Sequence, residues 1–358
     1  MGGTSSTEKD NKITDKYRIS LVVLCRTYGA LFLWFIFCII ITDKISAHME
    51  KEKKEKFLKN LQGKTGKYKR YLGSPLRYAG GKSLAVGLIT ECIPDDVTKV
   101  VSPFIGGGSV EIAMAKELGL EVVGYDIFDL LVNYWQQQVN NPEGIYEKLK
   151  DLNPTKEEYE RIKNILKEHW NKVDGYDGNL NPLDAAVYYY YNMQLSYGPG
   201  FLGWMSSIYA DKKKYEKTIN KVRDFDCKNL SVYCKSFEDS IVENQGEFLY
   251  LDPPYFLEGD SKMFKGIYPM RNFPIHHNGF RHDILAHLLH EHKGGFILSY
   301  NDCEWVREAY KDFEIKDVHW QYTMGQGETR IGKNRLERDY DNGNVKTSHE
   351  IMIIGKRD

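Results

Sequence analysis

The tetrapeptide Asp252-Pro253-Pro254-Tyr255 places an acid, two imino acids and an aromatic ring directly after the apolar run Phe248 to Leu251. The apolar run predicts a buried strand, and α/β sheets bind ligands at the carboxyl ends of such strands. A carboxylate and a backbone carbonyl can accept the two N–H groups of a planar exocyclic amine, while an aromatic ring stacks on the base. A Pro-Pro pair after a strand is also an ordinary way to end strand pairing, so the motif alone leaves both interpretations open.

Residues 97 to 126, well upstream, predict a βαβ unit that could position a second part of the same site. A strand over 97–102 is followed by a turn, Pro103 to Gly108, and by a helix from Ser109 to Leu118. A second strand over 120–125 then ends on Asp126. We expect Ser109 to cap the helix, because serine is a favoured residue at helix N-termini.

Three successive glycines, Gly106 to Gly108, let the backbone turn tightly and approach a ligand where a Cβ atom would collide. The acidic Asp126 follows at roughly the 20-residue spacing at which a carboxylate reaches a ribose diol. The order is not G-x-G-x-x-G, and helix packing explains a glycine-rich turn as readily as a nucleoside site. Gly81-Lys82-Ser83 has the ending of a phosphate-binding P-loop but lacks its first glycine.

With both segments in view, residues 74 to 358 resemble the Dam-like, or alpha, group of DNA adenine-N6 methyltransferases, which are type II modification enzymes. The segments lie in the family's order, with the glycine loop first, the target-recognition region next and Asp-Pro-Pro-Tyr after it. The matching segments are Ser74 to Lys82, Pro103 to Ser109, Tyr125 to Ile127, Ser236 to Asp239, Asp252 to Tyr255, Ser299 to Asp302 and His349 to Met352.

The resemblance implies an α/β, Rossmann-like S-adenosylmethionine-dependent methyltransferase sheet with an inserted, mainly helical target-recognition lobe. It implies S-adenosylmethionine as cofactor and no metal. The catalytic residues it implies are Asp252, Pro253, Pro254 and Tyr255. The cofactor-binding residues it implies are Tyr78, Lys82, Pro103, Phe104, Gly106, Gly107, Gly108, Asp126, Phe237 and Asp252.

The chemistry of adenine sets what such a site must do. The N6 lone pair is delocalised into the ring, so the enzyme has to localise it and align it with the methyl group. If Asp252 and the Pro253 carbonyl accept the two N6 protons, the lone pair faces the methyl carbon, and Asp252 stabilises the developing positive charge. In duplex DNA the base must first be flipped out, and stacking on Tyr255 offsets part of that cost.

Residues 133–235 are too many for a crossover in a compact sheet and predict a separate lobe. Helices are expected over 157–170 and 183–194, and Tyr188 to Tyr191 of the second are better interpreted as lobe core than as base-stacking residues. An aromatic, glycine-rich loop, Ser196 to Trp204, and a basic helix follow. The residues expected to bind DNA are Tyr197, Lys212, Lys213 and Lys214 of this lobe and Arg330, Lys333 and Arg335 of a later segment. A solvated helix face and a surface loop are the plain alternatives for the two basic groups.

Six histidines between residues 276 and 292 do not follow metal-ligand spacing, because they are scattered around an apolar helical stripe. We expect them to be solvated or capping residues. They are His276, His277, His282, His287, His290 and His292.

The N-terminal 48 residues predict an extension with one apolar stretch, residues 19–42, long enough to span a bilayer. Met49 is an equally good start, in which case residues 1–48 are absent from the working protein. Residues 49–73 form a basic linker or an arm on DNA phosphates. The catalytic domain is expected over 74–132 and 236–358.

The chain has 358 residues, 42% of them hydrophobic, with net charge −1, so affinity for nucleic acid must come from local patches. Its six cysteines show no paired spacing, which favours a reduced intracellular location with DNA, in cytoplasm or nucleus. Three functions remain open. They are an adenine-N6 methyltransferase on double-stranded DNA, with or without a cognate restriction endonuclease; a cytosine-N4 or RNA adenine methyltransferase; and a membrane-anchored nucleic-acid-binding protein without turnover.

Overall fold

The computed structural model describes residues 51–63, 67–171, 180–198, 200–256, 279–318 and 350–357. The chain divides into two compact units, residues 1–53 and 54–358. Of the first unit only residues 51–53 are described, and they are helical. The predicted segment 19–42, Met49, and the basic residues Arg330, Lys333 and Arg335 lie outside the described residues. No helix within the described ranges is both long enough and apolar enough to cross a bilayer.

Seven strands among the described residues form one sheet in the second unit. They are β1 Lys99–Ser102, β2 Glu121–Asp126, β3 Leu230–Cys234, β4 Phe248–Leu251, β5 Phe296–Asn301, β6 Glu314–Val318 and β7 Glu350–Gly355. Their order in the sheet is β3-β2-β1-β4-β5-β7-β6. β7 runs antiparallel to β5 and β6, while the pairs from β3 to β5 are parallel.

Besides a π-helix over Ala113–Leu118 and a 3-10 helix over Ser207–Tyr209, the described part of the chain contains eleven α-helices. They are α1 51–61, α2 Val86–Glu91, α3 Ser109–Ile112, α4 Asp129–Asn140, α5 Pro142–Lys150, α6 Lys156–Asn171, α7 Pro182–Leu195, α8 Lys212–Arg223, α9 Phe237–Glu243, α10 His282–Glu291 and α11 Glu304–Ala309. All four residues of β4 are buried, as expected for a strand covered on both faces. The alternation of strands and helices confirms the predicted α/β, Rossmann-like class.

The order of the strands reverses at β1, which lies between β2 and β4. The carboxyl ends of β1, β2 and β4 therefore meet at one edge of the sheet, which we call the carboxyl edge. Open α/β sheets bind ligands at such a reversal, because the connections there leave the sheet in opposite directions and open a crevice.

The helix after the glycine turn departs from the predicted form at both ends. Ser109 is its first residue rather than its cap, and the residue before it is Gly108, whose φ is +64°. A glycine fits there because this left-handed conformation strains any residue with a Cβ atom. After Ile112 the helix continues as a π-helix over Ala113–Leu118, a form often found near functional sites.

The inserted residues 133–235 contain the helices expected there, α6 and α7. Tyr189, Tyr190 and Tyr191 of α7 are fully buried and Tyr188 is half-buried, so they are core residues as expected. Their core is continuous with that of β1 and β2, and residues 54–358 form one compact unit. Residues 230–234 pair with β2 as an edge strand, so they belong to the sheet rather than to the inserted lobe. The expected boundary at 235 therefore falls too late in the chain.

The basic segment 54–73 packs against the rest of the second unit, 54–358. Phe57 and Leu61 of α1, together with Tyr71, are buried in the main core. The Lys54 ammonium donates a 3.0 Å hydrogen bond to Asp95. These contacts make the described part of 54–73 a packed element, in contrast to the linker expected from its composition.

Candidate active site

Three elements bring the predicted site residues to the carboxyl edge of the sheet. The glycine turn Gly106 to Gly108 follows β1, Asp126 ends β2, and Asp252 follows β4. Because β1 is the central strand of the three, the turn lies between the two carboxylates. Residues from two distant parts of the sequence thus share one crevice.

The glycine turn lies directly against Tyr78. A Cβ atom on Gly107 would lie 2.6 Å from the Tyr78 Cβ atom, closer than real Cβ atoms come to their neighbours. On its other side the turn is held by Trp135, whose indole N–H donates a 2.9 Å hydrogen bond to the Gly106 carbonyl. Ser74 also donates to the Gly107 carbonyl, at 2.7 Å. The turn is therefore fixed from both sides, with tyrosine as one wall.

Asp126 is held by backbone amides. Its carboxylate accepts hydrogen bonds from the Gly106 amide at 3.2 Å and from the Phe128 amide at 3.0 Å. Burial raises the pKa of Asp126 to about 6, although these amides oppose the rise. A carboxylate offers about four lone-pair positions, so Asp126 retains capacity to accept hydroxyl groups from a ligand.

An aromatic cluster lies beside the glycine turn. The ring centres of Phe104 and Phe237 are 5.6 Å apart, and Phe280 lies 5.7 Å from the first and 4.9 Å from the second. Pro103, which precedes this cluster, is buried. Phe237 begins α9 and Phe104 follows β1, so the two cofactor residues predicted from different segments do meet. Together they provide an apolar wall of the kind that packs against a planar base.

Asp252 is paired with Lys82. The Lys82 ammonium lies 2.7 Å from the Asp252 carboxylate, and the exposed fractions of the two side chains are 4% and 21%. The same ammonium donates to the Gly80 carbonyl at 3.2 Å and lies 5.0 Å from the centre of the Tyr255 ring. Burial raises the pKa of Asp252, and contact with Lys82 opposes that rise. Lys82 was expected beside the cofactor, and its ammonium contacts Asp252, the residue predicted to be catalytic.

A second buried acid, Glu111, lies behind this pair. Its side chain is 2% exposed and accepts a 2.7 Å hydrogen bond from the Ser102 hydroxyl, at the end of β1. Burial raises the pKa of Glu111 to about 8, and the nearby charge of Asp252 adds to the rise. The sequence analysis missed this residue, although an acid in the apolar stretch Val110 to Met114 was a visible signal.

The residues after Asp252 pack against β5. Pro253 is buried and Pro254 is half-buried. The Tyr255 ring stacks on Tyr300 at 6.2 Å between centres, with 26° between the ring planes. The Tyr300 hydroxyl contacts Nδ1 of His282, which is 7% exposed.

Two of the six histidines are buried, His282 and His292. His282 is neither solvated nor a cap, which differs from expectation, whereas His292 occupies the C-cap position of α10 and so fits the capping alternative. His292 is buried where the chain enters β5, and its Nε2 contacts the Glu247 carbonyl at 2.9 Å. His276 and His277 lie outside the described residues. Among the residues that the structure describes, no group of three or more His, Cys, Asp or Glu side chains could hold a metal ion.

The aromatic loop of the lobe presents large side chains to solvent. Tyr197 is 58% exposed and Trp204 is 80% exposed, and the Tyr197 amide donates a 2.7 Å hydrogen bond to the Trp204 carbonyl. Arg77 holds the base of this loop, because its guanidinium donates to the Gln194 carbonyl at 2.6 Å and lies 4.1 Å from the centre of the Tyr209 ring. Arg77 directly precedes Tyr78, so the loop and the wall of the glycine turn are adjacent. The sequence analysis did not single out Arg77.

The basic helix α8 begins close to this loop. Lys212, Lys213 and Lys214 are exposed in its first turn, and Asp211 caps the helix by accepting from the Lys214 amide at 3.0 Å. Asp211 comes two residues after Tyr209, which contacts Arg77. Tyr209 and Arg77 thus connect the start of α8 with Tyr78, the wall of the glycine turn.

The chain is similar to several known proteins and matches one family model. The model of the D12 class N6 adenine-specific DNA methyltransferases matches residues 78–324. The chain is 24% identical over 269 residues to type II methyltransferase M1.LlaDCHI of Lactococcus lactis subsp. cremoris, covering 72% of this chain and 91% of that protein. It is 22% identical over 300 residues to the DNA adenine methylase of Haemophilus influenzae, covering 79% and 93%. It is 26% identical over 307 residues to modification methylase StsI of Streptococcus sanguinis, covering 80% of this chain but 43% of that protein.

Proposed function

Because the chain belongs to the D12 class of N6 adenine-specific DNA methyltransferases, we propose that it transfers a methyl group from S-adenosylmethionine to N6 of an adenine in duplex DNA. The observation that carries the proposal is the position of Asp126 and Asp252 on either side of the glycine turn at the carboxyl edge. One carboxylate suits a ribose and the other suits an exocyclic amine. The relatives' names extend the proposal to a role as a modification methylase, with a cognate restriction endonuclease as partner.

The first half of the site fits a nucleoside with a charged tail. Asp126 is half-buried and held by two amides, so its remaining lone pairs are available to the ribose hydroxyls. Phe104 and Phe237 offer an apolar wall to the adenine ring, and the bare glycine turn against Tyr78 leaves room for a close approach. When bound, the cofactor supplies an electrophilic methyl group.

The second half fits the amine of the target base. Asp252 and the carbonyl of Pro253 are the acceptors for the two N6 protons, and Tyr255 is the ring on which the base stacks. Accepting both protons localises the nitrogen lone pair toward the methyl donor. The Asp252 charge then stabilises the positive charge that develops on the nitrogen.

Lys82 supports this role by keeping Asp252 ionised. A buried carboxylate without a partner would take up a proton and lose its capacity to accept from the amine. The 2.7 Å contact between the Lys82 ammonium and Asp252 opposes protonation. Lys82 therefore acts on the reaction through the charge of Asp252.

The exposed loop and the basic helix supply the duplex-binding face in this proposal. Flipping an adenine costs about a few kcal/mol, so the duplex must be gripped while its base is unstacked. Tyr197 and Trp204 offer aromatic surface, and Lys212 to Lys214 offer charge for phosphates.

The decisive experiment compares wild-type protein and Asp252→Ala on PCR-amplified DNA, which carries no methylated bases. We expect wild type to form N6-methyladenine, detected by nucleoside analysis, and Asp252→Ala to lose at least about a thousandfold in kcat because no carboxylate remains to grip the amine. Calorimetric titration should show that Asp252→Ala still binds S-adenosylmethionine. Formation of N4-methylcytosine, or full activity of the variant, would contradict the proposal.

The same assay tests the duplex-binding face. Replacing Lys212, Lys213 and Lys214 by Gln should raise KM for DNA and lower the salt slope of binding by about 0.9 for each DNA phosphate that is no longer neutralised. Lys228, Lys293 and Lys356 form a matched control, because they are exposed and lie at the opposite edge of the sheet. Equal effects of the two triple variants would contradict a phosphate role for the first.

A further inference from the structure

His282 occupies a closed aromatic pocket next to the proposed target-base site. The centres of its neighbours' rings lie 4.8 Å (Phe280), 5.0 Å (Phe256), 5.9 Å (Tyr300) and 5.9 Å (Trp305) from the imidazole. The side chain begins α10 and is 7% exposed. The imidazole is a polar ring in an apolar setting, and such a group is costly unless it is hydrogen-bonded.

Tyr300 is a polar partner of His282. Burial keeps the pKa of the Tyr300 phenol well above its ordinary value, so the hydroxyl stays protonated and shares a hydrogen bond with Nδ1 of His282, in which the imidazole tautomer sets the donor. The Tyr300 ring in turn stacks on Tyr255. One hydrogen bond and one ring contact therefore link His282 to the aromatic ring that follows Asp252-Pro253-Pro254.

The residue after Tyr255 is fixed by the same group of side chains. Asn301 donates a 2.7 Å hydrogen bond to the Phe256 carbonyl, and the Phe256 ring stacks on Trp305 at 4.5 Å with 5° between the planes. Phe256 also contacts the His282 ring edge to face. Tyr255 is thus held through its own ring and through the backbone that follows it.

We propose that His282 is a positioning residue for methyl transfer, which holds Tyr300 against Tyr255 and so presets the ring on which the target base stacks. The inference rests on the proposed function, in which Tyr255 stacks on the flipped adenine. Stacking needs a defined ring plane, and an unrestrained tyrosine would lose side-chain freedom on binding. His282 acts through Tyr300 and is not itself one of the groups that grip the amine or the cofactor.

A double-mutant cycle with His282→Phe and Tyr300→Phe tests this inference. Both substitutions keep an aromatic ring and remove one partner of the hydrogen bond. Each should lower kcat on PCR-amplified DNA by about fivefold to tenfold, and the double variant should be no slower than either single variant. The dissociation constant for S-adenosylmethionine should not change in any of them. His282→Asn, which keeps a polar acceptor near the position of Nδ1, should recover part of the loss.

The control is His287→Phe, because His287 is exposed on the same helix and should leave kcat unchanged. Thermal unfolding identifies any variant that is not folded at the assay temperature, and Tyr300→Phe, which loses a single oxygen, then serves as the test. Multiplicative losses in the double variant, or kcat within twofold of wild type for Tyr300→Phe, would overturn the inference. Neither result would affect the proposed function, which instead fails if wild type forms no N6-methyladenine.

Discussion

The two carboxylates at the carboxyl edge are both half-buried, yet they are held by different kinds of partner. Asp126 accepts from two backbone amides, which are neutral and fixed in position by the backbone. Asp252 faces the ammonium of Lys82, a charged group on a long side chain. Backbone amides fix the position of a carboxylate, whereas an ammonium favours its ionised form. In the proposed function, the cofactor half is therefore built for binding, and the target half for control of ionisation.

Among the tests of this difference, the largest effect should come from removing the charge partner of Asp252. Lys82→Met leaves Asp252 half-buried without the Lys82 ammonium, so its pKa rises further and the carboxyl is protonated over more of the neutral range. We expect kcat at pH 7 to fall about a hundredfold. Activity should recover partly as pH rises, because deprotonation restores the acceptor.

A pH–rate profile of wild type and Lys82→Met checks this expectation through the position of the acid limb. Lys116→Met is the control, since Lys116 is exposed on the π-helix after the glycine turn. An unshifted acid limb in Lys82→Met would mean that the pair does not govern the ionisation of Asp252.

A smaller effect, on binding alone, is expected at the other carboxylate. Asp126→Asn should weaken S-adenosylmethionine binding about tenfold, because hydrogen bonds to a charged acceptor are stronger than those to an amide. Saturating cofactor should restore most of kcat. Wild-type affinity should also fall below pH 6 as Asp126 is protonated, given its pKa of about 6.

Calorimetric titration at pH 5 and pH 7.5 measures both parts of this prediction. The Asn variant should have lost the pH dependence that wild type shows. If the two proteins lose affinity in parallel at low pH, Asp126 is not the titrating group.

The third expected effect concerns the stability of the protein, and the group involved is the buried acid Glu111. The pKa of Glu111 is raised from its ordinary 4.5 to about 8, so its protonated form is favoured in the folded protein. The stability it contributes is complete below pH 4.5 and is lost as pH rises toward 8. Glu111→Gln removes this loss while keeping an acceptor for Ser102. The variant should be more stable than wild type at pH 7.5 by up to about 4 kcal/mol, with the difference vanishing near pH 4.5.

Urea unfolding at the two pH values tests the sign directly. Ser102→Ala is a useful companion, because it removes the hydrogen bond to Glu111 but leaves the carboxyl free to titrate. A variant Glu111→Gln that is less stable than wild type at pH 7.5 would show that the carboxyl is ionised and paired in the folded state.

The sequence predicted both carboxylates because each directly follows an apolar strand, and local pattern is enough to recognise that arrangement. Chain order could not predict the contact between Lys82 and Asp252, because it depends on how β1 and β4 pair in the sheet. The buried state of His282 was missed for a related reason. Its partner Tyr300 is in β5, and only tertiary packing distinguishes it from the exposed His287 of the same helix.

The correction at Ser109 has a backbone origin. Serine is a good cap in general, but here Gly108 occupies the N-cap position in a left-handed conformation, and no side chain caps the helix. The extent of the inserted lobe was misjudged at residues 230–234 because β3 is an edge strand, whose half-exposed pattern resembles lobe sequence.

Two tryptophans lie in the two regions to which the proposed function assigns cofactor and DNA, the glycine turn and the aromatic loop. Trp135 is buried, with its indole N–H bonded to the glycine turn, whereas Trp204 is 80% exposed on the aromatic loop. Water-shielded indoles emit at shorter wavelength than solvated ones and are protected from collisional quenchers. Once the other four tryptophans are replaced by Phe, Trp135 and Trp204 would report separately on the binding of cofactor and of DNA in the proposed function.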